Sequence, residues 1–377
     1  MTESNVVEDQ PSELTWISYE DFGRRFFVEA VTTDRIAAAV AGMAGKGMKI
    51  GPSKIGPGGI AGIVAEGTIG KPTISRRDGD DVRFDLMVPA SLVLSLRFGQ
   101  QVRIEASVEI NLELSARAAA PLLIVIDIPK VTHDDVKLVV RAEALGAAWE
   151  WLLEPIGRIV RFEVANRLNA MLSDPASVRG RVFDIGARID DNGEQRSTNT
   201  TFDWITYEEF GTRFFQHAVT QARISEGAKD LAGRKIEIGP LKTGPGDMAS
   251  VSADGAVRAP RTDPRSDNPV EFDLTVPLDL DLVISIARDN NYKADIAIPL
   301  VLTARAAEPL QIVVDVAQVD PDDVDVELKS KGLSASVLGL IGGVKKQIRE
   351  QVAAEVNNQT RDRSSRTVDV AARIASA

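Results

Sequence analysis

Two stretches of this chain carry almost the same sequence. LTWISYEDFGRRFF begins at Leu14 and FDWITYEEFGTRFF begins at Phe202, which places Trp16 and Trp204 188 residues apart. The same offset relates many later matches, among them Gly51-Pro52 with Gly239-Pro240, Phe84-Asp85-Leu86 with Phe272-Asp273-Leu274, and Leu145 with Leu333. A period this long is typical of two copies of a whole domain and not of a solenoid.

The repeat sets the predicted domain boundaries. We predict one domain over residues 14–190 and a second over residues 202–377. The join at 191–201 is polar and has no apolar period, so it is predicted to be a linker. Residues 1–13 are predicted to form a disordered tail.

Long runs of alternating apolar and polar residues fill the middle of each copy. From Val102 to Leu114 every even-numbered residue is apolar and every odd-numbered one is polar, and the even-numbered set is again apolar over 82–96 and 272–286. A period of two puts alternate side chains on opposite faces of a strand. The runs are about twice the common strand length of roughly five or six residues. They predict long antiparallel strands with one buried face, in a sheet that twists and coils.

Glycine and proline interrupt the predicted strands at matching places in the two copies. In IGPSKIGPGGI, over 50–60, the glycine spacing fits neither a dinucleotide-binding motif nor a phosphate-binding loop. The segment is therefore predicted to be a turn or a bulge. Pro89 and Pro277 predict a bulge or a sheet edge.

Helical periods flank the strands. A helix is predicted over Tyr19–Val31, and a second, short one is predicted to be capped by Thr33 or Asp34 and to end at Gly45. Each copy then closes with a long amphipathic helix and a last short strand.

The long helix is predicted over 145–172 in the first copy, with a kink or a break at Pro155. In the second copy its apolar stripe runs over 333–356, with Lys345 and Arg349 among the charged residues predicted on other faces. VFDIGARI and VDVAARI form the last predicted strands. The predicted fold class is α+β: two tandem repeats, each a long, highly curved antiparallel β-sheet wrapped around amphipathic helices.

Composition excludes several classes of function. Lysine and arginine number 44 against 55 aspartate and glutamate, and the net charge is −11, so nucleic acid is not an expected partner. The absence of cysteine excludes disulfides, thiolate catalysis and zinc–thiolate sites. No apolar run approaches the roughly 20 residues that span a bilayer. The polar, acidic start lacks the features of a secretory signal, and we expect a cytoplasmic protein.

The residues that could carry catalysis are few. His133 and His217 do not occupy equivalent positions in the two copies, and both are predicted to be surface or turn residues. Three sets of acids recur at the repeat offset or within apolar runs: Asp134-Asp135, Asp322-Asp323, and Asp127 with Asp315. The paired acids are predicted to form turns, and the others to be strand ends or satisfied buried groups. We expect no enzyme, no cofactor and no metal site; an isomerase or cyclase with a carboxylate-based site is the third hypothesis.

The order of elements resembles the tubular lipid-binding (TULIP) superfamily, which includes bactericidal/permeability-increasing protein, SMP domains and bacterial relatives. The resemblance is carried by TTDRIAAAV at 32–40, the runs 82–97 and 102–117, and the helix 145–172, with their copies. The chain departs from many secreted members, since it has neither a signal peptide nor a disulfide. The helix-grip fold of START-like proteins is the alternative, but it normally begins with a strand and ends at its long helix.

The resemblance implies a tube between helices and sheet that holds acyl chains. It thereby implies non-enzymatic binding, sequestration or transfer of a lipid or other apolar ligand, and it allows transient contact with a membrane. A structural or scaffolding protein with packed cores, acting through protein contacts, is the alternative. The oligomeric state stays open. The side chains predicted to line the tube are Phe22, Phe26, Ile36, Leu94, Ile104, Val108, Trp149, Ile156, Phe210, Phe214, Ile224, Leu282, Val337 and Ile341.

Overall fold

The chain divides into two compact units. The structure is a computed structural model that describes residues 14–55, 61–79, 81–98, 100–141, 150–190, 201–243, 246, 249–285, 289–329 and 341–376. The first unit is Gly23–Phe210, and the second unit is Gly211–Ala377 together with the segment that ends at Phe22. The predicted tail and residues 191–200 of the predicted linker lie outside the described residues.

The two copies of the sequence form nearly the same elements in the same order. Those of the first copy are β1 Trp16–Ile17, α1 Tyr19–Ala30, α2 Thr33–Ala41, β2 Gly47–Ile55, β3 Ala61–Ile69, β4 Thr73–Arg76, β5 Arg83–Phe98, β6 Gln100–Ala119, β7 Leu123–Asp127, β8 Val136–Arg141, α3 Glu150–Leu172, α4 Pro175–Arg179, β9 Val182–Asp184 and α5 Ile185–Ile189.

The second copy differs mainly in lacking counterparts of β1 and α4 among the described elements. Its elements are α6 Tyr207–Ala218, α7 Gln221–Ala228, β10 Lys235–Thr243, β11 Ala249–Val257, β12 Arg261–Asp267, β13 Val270–Ser285, β14 Asp289–Ala307, β15 Gln311–Val316, β16 Asp325–Lys329, α8 Ile341–Gln359, β17 Thr367–Asp369 and α9 Val370–Ser376.

Each unit is built on one antiparallel sheet. The sheet of the first unit has eight strands in the order β2-β3-β5-β6-β7-β9, with β4 paired to β5 and β8 paired to β6. The sheet of the second unit has nine, in the order β10-β11-β13-β14-β15-β17, with β12 paired to β13 and both β16 and β1 paired to β14. Each sheet curls through about 285°. The predicted α+β fold with two curved antiparallel sheets is confirmed.

The long strands and their single buried face are confirmed. β5 and β6 pair without interruption from Arg83↔Ser115 to Phe98↔Gln100, and β13 and β14 do the same from Glu271↔Thr303 to Ser285↔Asp289. Val102, at the end of the predicted run, is half-buried. The other even-numbered side chains of the predicted runs that lie in β5 and β6 are buried, namely Phe84, Leu86, Val88, Ala90, Leu92, Leu94, Leu96, Ile104, Ala106, Val108, Ile110, Leu112 and Leu114.

Gly51 and Gly239 mark bulges, as the glycine–proline segment predicts. The register of β2 on β3 shifts between Ile50 and Ser53, and that of β10 on β11 shifts at the equivalent place. Gly51 has φ +86° and Gly239 has φ +90°. Such values favour glycine because a Cβ would clash with the backbone. Residues 56–60 of the segment lie outside the described residues.

Pro89 does not interrupt the pairing with β6, so of the predicted bulge or sheet edge the bulge is absent. It pairs with Glu109 in an unbroken ladder. On its other side, β5 changes neighbour from β4 to β3, and the Gly70 N–H donates to the Pro89 carbonyl (2.7 Å). Proline fits at this change of neighbour because it has no N–H to donate to a ladder. Pro277 lies at the equivalent place, between the ends of β11 and β12.

Several helix ends differ from the prediction. The cap of α2 is Thr32, whose Oγ1 accepts from the Arg35 N–H (3.3 Å), and the helix ends before Gly42 instead of Gly45. α3 continues through Pro155, so the predicted break is absent. Residues 145–149 and 333–340 of the predicted long helices lie outside the described residues.

The last predicted strands are only three residues long, and each turns directly into a short helix. Asp184 ends β9 and caps α5, since its Oδ1 accepts from the Ala187 N–H (3.0 Å). Asp369 does the same for α9 through the Ala372 N–H (2.9 Å). An aspartate at a helix N-cap accepts from a backbone N–H of the first turn. The alternating strand pattern does not show that a helix begins at this residue.

The opening residues of the two copies are exchanged between the units. In the second unit, Trp16 pairs with Ala307 of β14, and the Glu308 N–H donates to the Thr15 carbonyl (2.9 Å). In the first unit, Trp204 forms the equivalent bridge with Ala119. Each sheet is therefore completed by residues from the other copy of the sequence.

Candidate functional site

The buried face of each sheet is apolar. In the described part of the chain, Thr262 is the single buried residue with a polar side chain. Among these residues, no three His, Cys, Asp or Glu side chains come together as a metal site. No helix in the described ranges has the length and hydropathy needed to span a bilayer.

The long helix of each unit lies against two well-separated strands of its sheet. α3 contacts the edge strand β2 and also β8, and α8 contacts the equivalent strands β10 and β16. The inward side chains of α3, Ile156, Val160 and Val164, are fully buried. Because the helix contacts an edge strand and a second strand that is far from it in the curled sheet, the helix covers the open side of the curl.

Asparagine fixes the far end of each long helix. The Val131 N–H donates to Asn169 Oδ1 (2.9 Å), and Asn169 Nδ2 donates back to the Val131 carbonyl (2.8 Å). Asn357 makes the same two bonds with Val319 (2.8 and 3.0 Å). One amide side chain thus satisfies a backbone donor and acceptor together, which holds the helix in a fixed position along the sheet.

The predicted lining residues divide between the units. Those buried in the first unit are Phe26, Ile36, Leu94, Ile104, Val108, Ile156 and Phe210. Phe22, Phe214 and Leu282 are buried in the second unit, where Ile224 is half-buried. Trp149 and Val337 lie outside the described residues, as does the side chain of Ile341.

Only some of these side chains are brought together. Leu94 and Ile104 are directly opposite in the ladder of β5 and β6. The ring centroids of Phe26 and Phe210 are 5.4 Å apart, and those of Phe22 and Phe214 are 5.1 Å apart.

Each unit contains a cluster of four aromatic rings that combines the two copies. In the second unit the cluster consists of Tyr19, Phe22, Phe214 and Phe215. In the first unit it consists of the equivalent positions, Tyr207, Phe210, Phe26 and Phe27. Phe22, Phe27, Phe210 and Phe215 are fully buried, so the clusters belong to the packed part of each unit.

Tyr19 anchors its cluster through its hydroxyl. The hydroxyl donates to the Ala304 carbonyl (2.7 Å) and accepts from the Val270 N–H (3.3 Å). Burial raises the pKa of Tyr19 to about 12. Burial also raises the pKa of Tyr207, the equivalent residue of the first unit, with a further contribution from the negative charge of Asp81.

The recurring acids have structural partners. The Arg305 guanidinium lies 3.9 Å from the ring centroid of Trp16 and 3.5 Å from Asp315. Arg117 lies equally close to Trp204 and contacts Asp127 at 3.3 Å. Each aspartate thus forms an ion pair with an arginine whose guanidinium lies over a tryptophan of the other copy. The prediction that they are strand-end or satisfied polar groups is confirmed.

The paired acids and the histidines are likewise in turns or near helix ends. The Thr132 N–H and hydroxyl donate to Asp135 (2.7 and 2.8 Å) in a 3-10 turn, and Asp320 Oδ1 accepts from the Asp322 N–H (2.9 Å) in the equivalent turn. His133 is exposed beside Asp134. His217 is half-buried in the last turn of α6, so it is neither an exposed nor a turn residue as predicted.

Sequence reasoning missed one pair of residues, Arg161 and Arg349. They occupy the same place in the two copies, on α3 and α8, and both are half-buried. The Nε atom of each is buried and has no hydrogen-bond partner among the described residues. The prediction that placed Arg349 away from the apolar stripe is therefore wrong. The repeat offset and the helical period would have identified both arginines.

No model of a known protein family matches the sequence, and no curated protein matches it. Among solved structures, a crystal structure of lipopolysaccharide binding protein has a TM-score of 0.31 and 8% identity, over 89% of this chain and 89% of that chain. P47 of Clostridium botulinum E1 has a TM-score of 0.27 and 8% identity, over 88% and 87%. P47 from Clostridium botulinum A2 has a TM-score of 0.26 and 7% identity, over 87% and 84%. Likenesses of this size do not bear on what this chain binds.

Proposed function

We propose that the chain is a non-enzymatic protein of the TULIP type that binds a lipid or another apolar ligand inside the curl of each sheet. The observation that carries the proposal is the buried face itself, which is apolar along strands as long as β5 and β6. Removing apolar surface from water contributes about 25 cal/mol per Å², or about 0.8 kcal/mol for each buried CH₂. An acyl chain on this face therefore gains free energy along its whole length.

The shape of each unit supports the same proposal. Each sheet curls through about 285°, and a long helix packs across it, which is the arrangement that a ligand between sheet and helix requires. Some inward positions of the first unit carry alanine, including Ala65, Ala90 and Ala106. Ala65 lies opposite Leu94, and Ala106 lies opposite Leu92. An alanine side chain fills less space than the leucine opposite it. Ligand pockets are usually concave and apolar with few polar groups, as this face is.

The order of elements favours the TULIP arrangement over the helix-grip alternative. Each long helix is followed by another strand of the same sheet, β9 paired to β7 and β17 paired to β15. A helix-grip domain ends at its long helix. The scaffolding alternative, in which side chains fill both interiors, makes the opposite prediction in the experiment below.

The experiment compares ligand uptake by two matched double variants. Ala106 and Ala294 are buried, equivalent residues on β6 and β14, whereas their neighbours Glu105 and Lys293 are exposed. In Ala106→Trp with Ala294→Trp the indoles would occupy the space of the ligand. Uptake of a fluorescent fatty acid is expected to fall at least about tenfold, with the folded state retained.

The control variant, Glu105→Trp with Lys293→Trp, adds the same two indoles to the outer face. It is expected to take up ligand like the wild type. If the interiors are packed, the inward tryptophans overfill them and cost about 1–3 kcal/mol each. A large loss of stability in the inward variant, with no uptake by the wild type, would favour the scaffold and refute the binding proposal.

A further inference from the structure

In the described part of each unit, an arginine of the long helix lies among buried residues of the same helix. Arg161 follows the fully buried Val160 and lies one turn before the buried Ala165. At 3.6 residues per turn it shares a face with Val164 and Leu168, which are also buried. On α8, Arg349 follows the buried Ile348 and lies one turn before the buried Ala353, whereas Val356, the equivalent of Leu168, is half-buried.

Arg161 differs from the other two arginines of α3 in having no ion pair with a described residue. On α3, Arg158 pairs with Glu154 at 2.9 Å and Arg167 with Glu163 at 3.6 Å. Arg161 has no ion pair with a described residue, and its Nε is buried without an acceptor there. A buried donor that lacks an acceptor costs about 1–3 kcal/mol, and more on a charged group. An acceptor that comes with a ligand would remove this cost.

The two copies keep the arginine while its neighbours change. The residue after Arg161 is Phe162, whereas the residue after Arg349 is Glu350. The residue one turn before is Gly157 in the first copy and Lys345 in the second. A guanidinium on an apolar face is therefore a shared feature of both units and does not depend on one local ion pair.

We propose that Arg161 and Arg349 each bind the anionic headgroup, a carboxylate or a phosphate, of an amphipathic ligand whose hydrocarbon lies on the apolar face. Arginine suits this role because its planar guanidinium donates two parallel hydrogen bonds to either group. The proposal rests on the proposed function, since it names the polar end of the same ligand. It assigns one anionic amphiphile to each unit.

The test compares ligands that share one hydrocarbon and differ in the headgroup: dodecanoate, dodecyl phosphate and dodecanol. Binding to the full chain is measured by displacement of a fluorescent fatty acid. The wild type is expected to bind the two anions at least about tenfold more tightly than the alcohol, as charge-assisted hydrogen bonds imply. Arg161→Met with Arg349→Met is expected to bind dodecanol like the wild type and to lose the preference for anions.

Two further variants keep the result interpretable. Arg158→Met with Lys346→Met removes outward charges from the same helices and is expected to retain the preference. Arg161→Lys with Arg349→Lys keeps the charge without the two-pronged contact and is expected to show an intermediate preference. The lysine variant also tests the preference for anions if the methionine variant fails to fold.

The outcomes separate this inference from the proposed function. If the wild type binds dodecanol as tightly as the anions, or if both inward variants keep the full preference, the arginine proposal is overturned and the apolar site stands. If the wild type binds none of the amphiphiles, both proposals fall. Arginine-dependent binding of inorganic phosphate without binding of any amphiphile would indicate a site for soluble anions, which also overturns the proposal.

Discussion

Replacing Phe22 by alanine is expected to weaken the second unit, although Phe22 belongs to the first copy of the sequence. Phe22 is fully buried, and its ring centroid lies 5.1 Å from that of Phe214 and 4.9 Å from that of Phe215. Truncating a buried phenylalanine to alanine costs about 3–5 kcal/mol. This range includes the aromatic pairs, which contribute about 0.5–1.5 kcal/mol each.

The assay is native-state hydrogen exchange, read by peptide in the two sheets. Phe22→Ala is expected to lower protection in 270–307, which contains β13 and β14, more than in 83–119, which contains β5 and β6. Phe210→Ala is the matched variant, because Phe210 occupies the equivalent position in the second copy and is buried in the first unit. Its effect is expected to fall on the other sheet.

Two outcomes would contradict the exchange of opening segments. If each copy folded with its own opening segment, Phe22→Ala would lower the protection of 83–119 from hydrogen exchange, and Phe210→Ala would lower that of 270–307. Equal losses in both sheets from either variant would also contradict the exchange.

Three further predictions concern local features. Tyr19 has a pKa of about 12 in the fold against 10 for the free side chain, so folding favours the neutral phenol. The contribution of this side chain to the free energy of unfolding is therefore complete below pH 10 and is lost as the pH rises to 12. The wild type should therefore lose up to about 2.7 kcal/mol across this window relative to Tyr19→Phe, and parallel stability curves for the two would contradict this. Gly211→Ala should cost about 1–3 kcal/mol in urea unfolding, because the new Cβ would clash with the Tyr19 carbonyl oxygen, whereas Gly42→Ala, which meets open space, should not destabilise. Asn169→Ala should cost about 1–3 kcal/mol by leaving the Val131 backbone groups without partners, and an unchanged thermal midpoint would show that water replaces the amide.

The sheets could be predicted from the sequence because their signal is periodic. An alternation that holds through 102–114 fixes which face of β6 is buried, and the ladder with β5 follows it residue by residue. The glycine–proline bulge at Gly51 was also predictable, since few residues other than glycine adopt its backbone angles.

The exchange of opening segments could not be predicted from the sequence. Tyr19 and Tyr207, with the phenylalanines that follow them, are nearly identical in the two copies. Either segment therefore offers the same rings and the same hydroxyl to either sheet. Only the three-dimensional arrangement distinguishes the two pairings.

The polar part of the candidate site was missed for a different reason. Arg161 and Arg349 interrupt an apolar face, and a charged residue in a helix is ordinarily assigned to solvent. The long side chain allows the Nε of each to be buried while the residue as a whole stays half-exposed. Residue type alone does not register this intermediate state, whereas the helical period combined with the repeat offset identifies both positions.

Native mass spectrometry of the gently purified chain tests the central claim most directly. We expect species heavier than the polypeptide by the mass of one or two amphiphiles, one for each unit, and we expect this extra mass to disappear after extraction with organic solvent. A spectrum that shows the bare polypeptide alone, both as purified and after incubation with fatty acids, would contradict the claim that the curled sheets enclose a ligand.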